Sequence, residues 1–211
     1  MHTRELRELD ACWKEPLNGS NLRTTFLLLT RAHFSDPKNY GYLEKKLSCF
    51  VYDTDTANST LSVELSQEYD VNKTSKRPAV FVGLDQVFQF AKVSNDMKHS
   101  NFEDNSGESR GFIVNTALSI IHVAETVDQA LLLADSSASF YIGITDAIKG
   151  RLELISFVPA TISPPALIEK GQERGFRVDV TFSLSFNYVV NANIESHRLK
   201  KFAMELVGTE S

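Results

Sequence analysis

Cysteine is nearly missing from this chain. Cys12 and Cys49 are the only two in 211 residues, and neither belongs to a CxxC pair. A disulfide framework and a thiolate zinc site are excluded on that count, and two isolated cysteines read as core or chance residues of a reducing compartment. Histidine is sparse and scattered. His2, His33, His99, His122 and His197 include no pair at i, i+4 and no neighbour of a cysteine. A metal site needs three or four converging ligands, so no metal is expected, and the histidines are assigned to helix or strand faces.

The motifs of catalysis are lacking too. No serine stands in a GxSxG elbow, and no glycine-rich loop follows a strand and opens a helix. Gly107-Glu108-Ser109-Arg110-Gly111 leads into a strand, which excludes a phosphate cradle at a helix start. Glu103 and Asp104 are adjacent carboxylates in a loop, which do not by themselves make an acid/base pair. The expectation is therefore no catalytic residue and no cofactor. No apolar run approaches the ~20 residues of a membrane span, and the charged opening MHTRELRELDACWKE is not a signal peptide. Asn58-Ser59-Thr60 and Asn72-Lys73-Thr74 match glycosylation sequons but, without a secretory signal, report only loop-like chemistry. Positive charge is in deficit: 22 Lys and Arg against 27 Asp and Glu give a net charge of −5. That balance argues against a general nucleic-acid binder. The one basic turn, Arg198, Lys200 and Lys201, is a candidate contact for nucleic-acid phosphate or an acidic partner.

What is present is a strong two-residue period. In Arg177 to Asn191 the apolar residues Val178, Val180, Phe182, Leu184, Phe186, Tyr188 and Val190 share one parity, and Arg177, Asp179, Thr181, Ser183, Ser185 and Asn187 share the other. Alternate side chains of a strand point to opposite faces, so this strand has one apolar and one wet face. At ~3.3 Å per residue it runs roughly 50 Å, far beyond an ordinary strand. It overhangs its own sheet or joins a sheet shared between subunits. The chain is long enough for a single domain, 1–211, with its own core.

Around this strand the pattern predicts helices over 3–15, capped by Thr3 with a Leu6, Leu9, Trp13 stripe, and from Ser20 or Asn21 to the Asp36-Pro37 stop, burying Leu22, Phe26, Leu29 and His33. Residues 36–46 read as a polar connection. Leu47 to Tyr52 and a half-buried strand from Leu61 to near Tyr69 read as a hairpin, and 78–83 with 86–93 as a second, around Gly83 to Asp85. Residues 95–109 show no period and read as a long loop. Phe112 to about Val123 is a strand. Thr126, with Gln129 three residues on, caps a helix of roughly six turns that stops at Gly150. Gly143 inside it suggests a close helix–sheet approach. Leu152 opens another strand, 159–175 is a second excursion with one helical turn at ALIEK, and a short helix closes the chain around Leu199, Phe202, Ala203 and Leu206. There is no internal repeat. The predicted class is α+β: a mixed, largely antiparallel sheet with long strands, packed on one face by helices, plus extended loops.

Three stretches carry a family resemblance: Arg77-Pro78-Ala79-Val80; RGFIVNTALSIIHVAETVDQALLLAD from Arg110 to Asp135; and the long strand with Asn193 to Lys201, NIESHRLKK. Over about 130 residues the chain from Arg77 onward resembles the tail-terminator and related neck proteins of tailed bacteriophages. The resemblance implies a non-enzymatic virion protein, a ring subunit, commonly hexameric, that joins the head connector to the tail tube and is assembled in the host cytoplasm. It implies itself, the adjacent neck and tail-tube proteins and DNA in the ring lumen as partners, with no membrane. Two readings stay open beside it: another head-completion adaptor or tail component, and a small-ligand binder or enzyme on an α/β sheet. Asp96, Met97, Lys98, Phe102, Glu103, Asp104 and Glu108 are the candidate subunit interface, two apolar anchors in a charged rim.

Overall fold

The computed structural model describes residues 19–66, 78–84, 89–91, 98–99, 108–170 and 173–192. The predicted helices at 3–15 and around Leu199, and the basic turn Arg198, Lys200 and Lys201, lie outside the described residues.

Helix α1 spans Gly19–Phe34 and buries Leu22, Phe26, His33 and Phe34, with Leu29 half-buried, as its stripe predicts. The Asp36-Pro37 stop opens a 3-10 segment, Pro37–Leu43, in which the Asp36 side chain accepts from the Lys38 amide at 3.0 Å. This segment is more than a polar connection: it buries Tyr40 and Leu43, and Gly41 turns the chain at φ +56°, where a side chain would strain. One helical turn, α2, follows at Glu44–Leu47.

The expected strand at 47–52 does not form. The Tyr52 amide donates to the Phe34 carbonyl, and the Val51 carbonyl accepts from Thr60 and Leu61. The backbone groups that would join a ladder are thereby used locally. Phe50 and Tyr52 still pack on the core, which explains the apolar alternation without a strand. Strand β1, Ser62–Leu65, therefore has no hairpin partner before it and pairs in parallel with β2, Ala79–Leu84. Among the described residues the second predicted hairpin is not formed either, since both of its strands pair with a later one. β2, β3 (Gln89–Ala91) and β4 (Lys98–His99) pair one after another along the same side of β5, Glu108–Ala124.

β5 and β8 (Glu173–Ala192) form the spine. Their antiparallel ladder runs from Glu108 opposite Ala192 to Ala124 opposite Phe176. On the far side of β8 lie β6, Leu154–Ile162, and β7, Ala166–Lys170. ALIEK is thus a strand, not a helical turn, and the excursion predicted over 159–175 is mostly the β6–β7–β8 meander. Likewise Lys98–His99 and Glu108 onward are strand within the segment expected to be loop. Among the described residues the sheet reads β1-β2-β5-β8-β6 with one parallel pair, the mixed and mainly antiparallel sheet expected.

The parity of β8 holds. Val178, Val180, Phe182, Leu184 and Phe186 are buried, while Ser183 and Asn187 are exposed and Thr181 and Ser185 lie between. The buried parity faces the helices: α1 packs over β1 and β2, and α3, Val127–Gly143, over β5 and β8. At the centre of this layer Phe157 and Phe182 stack with ring centroids 5.1 Å apart, and Phe26 and Tyr141 complete the cluster. On the opposite face the described residues include a small apolar patch of Ala79, Phe81 and Val123 with Ile121 and Ile168.

Thr126 caps α3 as expected, accepting from the Gln129 amide at 3.3 Å. The six-turn helix is broken, however. It ends at Gly143, Ile144 turns out of helical geometry, and α4 runs Thr145–Arg151. Gly143 is exposed, with nothing near a Cβ built on it, so it marks the break and not a close approach to the sheet. Gly150 lies inside α4, and the left-handed turn into β6 is taken by Glu153 at φ +49°. Close approach is instead seen at Gly83 of β2, where a Cβ would lie 2.3 Å from the Ser66 Oγ. No helix among the described residues is long and apolar enough to cross a membrane.

Candidate functional site

Two features stand out against this frame, one inside and one on the surface. The inner one is a layer of hydroxyls and imidazoles where α1, α3 and β5 meet. His122 lies at the core parity of β5, opposite Val80 of β2 and Val178 of β8. Its Nδ1 is 3.1 Å from the Val178 carbonyl oxygen, which can only accept, so the proton sits on Nδ1. Nε2 is then the acceptor, and the Ser137 hydroxyl donates to it at 2.8 Å. His33 on α1 meets the neighbouring residue, its Nε2 2.9 Å from the Ser136 Oγ. The His33 ring stacks on Phe140 at 4.4 Å and meets Phe34 and Tyr40 edge-on. Its Nδ1 has no hydrogen-bond partner among the described residues.

Burial decides what this layer can do. His33 is 2% exposed, His122 0%, Ser136 3% and Ser137 1%. Removing an imidazolium from water costs more than its bonds return, so burial pulls both rings down to about 4, with His122 adding to the effect on His33. Both are neutral near pH 7. A Ser–His pair at 2.8 Å has the contact of an activated nucleophile, but a hydroxyl with no path to solvent meets no substrate. The pair ties α3 to the sheet. Beside it the Tyr141 hydroxyl donates to the Phe26 carbonyl at 3.0 Å and lies 2.8 Å from the Thr30 hydroxyl, joining α3 to α1. Desolvation pushes the phenols of Tyr141 and Tyr40 above their usual range.

The outer feature is the β6 edge. Ile155, Val158, Ile162 and, on β7, Leu167 are 47%, 54%, 53% and 53% exposed. Ile155 occupies a bulge between Leu154 and Ser156; Val158 shares the wet face with Ser183; Ile162 lies past a second irregularity between Pro159 and Thr161. Bulges and an edge proline are devices that discourage indiscriminate strand addition. The turn after β6 is pinned: the Ser163 amide donates to the Asp179 carbonyl, and the Asp179 amide donates to the Ser163 hydroxyl, both at 2.8 Å. Asp179 is held in turn by a two-bond pair with Arg177 at 2.7 and 2.6 Å. Tyr42, the most exposed large apolar residue of the described set, donates to Asp135 on the outer face of α3.

Of the residues predicted for a subunit interface, Lys98 lies in β4 and Glu108 opens β5, both on the β5 ladder. Asp96, Met97, Phe102, Glu103 and Asp104 lie outside the described residues. His33 is buried as its place in the Leu22–Phe26–Leu29 stripe predicts, whereas His122, assigned only to a helix or strand face, proves to be a core residue. The signal for His122 was available in the parity that it shares with Leu118 and Ile120. Among the described residues no group of histidines, cysteines and carboxylates could hold a metal ion. Comparison of the chain with protein-family models and with curated proteins finds no match.

Proposed function

We propose that this chain is a structural subunit that works by assembly, a tail-terminator-like ring protein of the neck of a tailed bacteriophage, between head connector and tail tube. The observation that carries the reading is the β6 edge. Four large apolar side chains, Ile155, Val158, Ile162 and Leu167, stand about half exposed on one terminal strand and its continuation. Val158, opposite Ser183, lies on the wet face, while Ile162, opposite Val180, and Leu167, opposite Phe176, lie at the core parity, so this edge carries exposed apolar side chains on both faces of the sheet. Exposed apolar side chains at a sheet edge suit a contact, and the bulges and Pro159 turn this edge toward side-chain docking instead of open strand addition. The occupant in this reading is a neighbouring copy. β1 and β6 end the sheet on opposite sides among the described residues, so a head-to-tail contact between unlike edges is available to each subunit. Contacts of that kind close into rings when their rotation permits.

The test is light scattering after size exclusion, with electron microscopy of the same fractions, on the full chain and on the Val158→Asp, Ile162→Asp double variant. The wild type should form rings. The double variant should be monomeric with an unchanged urea midpoint, because neither side chain belongs to the core. A wild type that stays monomeric at every concentration, or a double variant that still forms rings, would overturn the reading.

A further inference from the structure

Ser136 and Ser137 are consecutive residues of α3, and each grips a histidine of a different element. Neighbouring residues point about 100° apart around a helix axis, as 3.6 residues per turn requires. One hydroxyl therefore faces α1 and the other faces the sheet, and α3 sits in the corner between them. We propose that this layer is an acid-sensitive latch, in which protonation of His33 and His122 lifts α3 off the sheet and away from α1 in one step.

The geometry makes each protonation unfavourable in place. On His122 a second proton would sit on Nε2, where the Ser137 hydroxyl now donates, so that hydroxyl must turn around and give up its present bond. On His33 the imidazolium needs two acceptors, and Nδ1 has none among the described residues. The groups facing the rings offer little relief. They are Tyr40 from the 3-10 segment, a phenol that stays protonated; the two serine hydroxyls from α3; and each histidine itself, whose charge repels the other. From β8 the Asp179 carboxylate favours a charged His122, but it lies at the opposite parity and is already paired with Arg177. Burial holds both rings neutral to about pH 4, so any state that admits water to them gains affinity for protons. Lifting α3 exposes both rings together, because both contacts sit on that helix.

The sign follows from linkage. The open state takes up protons below about pH 6.5 and the closed state only near pH 4, so acid favours opening across that window. Each histidine multiplies the opening constant by up to ~10-fold per pH unit, and the pair by up to ~100-fold. The experiment measures opening of the full chain by urea titration at steps from pH 7 to pH 4.5. The chains compared are the wild type, His33→Gln, which keeps a nitrogen near Ser136, and His122→Asn, which keeps a donor for the Val178 carbonyl. Each variant should lose about one power of ten per pH unit from the slope of the opening constant. A slope unchanged in both variants would overturn the latch. Because either variant could fail to fold, the imidazole signals of the wild type are also followed by NMR. Rings of His33 and His122 that remain neutral to pH 5 in the closed state, with protection of β5 and β8 amides outlasting that of α3 amides in acid, support it. Ring titration near pH 6.5 without loss of α3 protection overturns it.

Discussion

Phe182 and Ser183 are adjacent in sequence and opposite in environment, which makes them a stringent test of how β8 sets the fold. Phe182 is fully buried, stacked on Phe157 at 5.1 Å with ring planes 8° apart, and tilted against Tyr141 at 5.4 Å. Phe182→Ala removes the ring that stacks on Phe157 and leans on Tyr141 and should cost about 3–5 kcal/mol in transfer and cavity terms. In a chain of this size that is a fall in Tm of roughly 6–20 °C, at ~2–4 °C per kcal/mol. Phe182→Asp adds a carboxyl with no partner in the same place. Its desolvation adds several kcal/mol more, whether it stays charged or takes up a proton, against a total stability on the order of 5–15 kcal/mol. That variant should not yield folded protein. Ser183→Asp places the same carboxyl on the wet face, opposite Ala117 and beside Val158, and should fold with a urea midpoint near that of the wild type. The assay is soluble yield, then urea denaturation followed by circular dichroism. Similar yields and midpoints for the two aspartate variants would refute the assignment of faces, and with it the placing of the helices on the even parity of β8.

Three further outcomes are expected. Thr126→Ala removes the oxygen that accepts from the Gln129 amide and should lower stability by about 1 kcal/mol, read as a shift in urea midpoint at constant slope. Tyr141→Phe deletes a buried hydroxyl but leaves the Phe26 carbonyl bonded to Thr30, so the loss should stay near ~1 kcal/mol; a loss matching Tyr141→Ala would mean that the hydroxyl, not the ring, dominates. Replacing 100–107 by a short Gly/Ser linker, which leaves β4 and β5 in place, should preserve the circular dichroism spectrum of the isolated chain while weakening ring assembly, measured as the oligomer fraction by light scattering. Undiminished assembly would assign the contact to the β6 edge alone.

The elements whose residues repeat a clear period over many positions were legible in the sequence. β8 declared both faces over fifteen residues, and α1 was bracketed by its apolar stripe and by Asp36-Pro37. Thr126 announced the start of α3. Shorter signals failed for definable reasons. Leu47, Cys49 and Val51 alternate over only five residues, too few to separate a strand from a helical turn followed by an extended loop, and the local acceptors at Phe34 and Val51 decided it. The partner of β1 depends on a parallel pairing across the chain, which no local pattern encodes. ALIEK suits either a helical turn or a strand, and the edge of β8 was the deciding context. The break at Ile144 was masked because helical spacing continues through it into α4. Of the candidate site, exposure at β6 could not be read from apolar residues that equally suit a core strand. The His–Ser layer needed the three-dimensional meeting of α1, α3 and β5.

The order of the strands bears on synthesis as well as on stability. β5 finds β2, β3 and β4 already made when it emerges, but its other side waits for β8. The nearest paired residues, Ala124 and Phe176, are separated by 52 positions (176 minus 124). At about 5–20 residues per second, translation takes roughly 3–10 s to supply them. Through that interval a seventeen-residue strand rich in isoleucine and valine presents one bare edge, a template for any other nascent copy on the same message. Slowing elongation between α3 and β8 should therefore lower the soluble yield of the wild-type chain, while supplying the Arg174–Ala192 segment in trans should restore it.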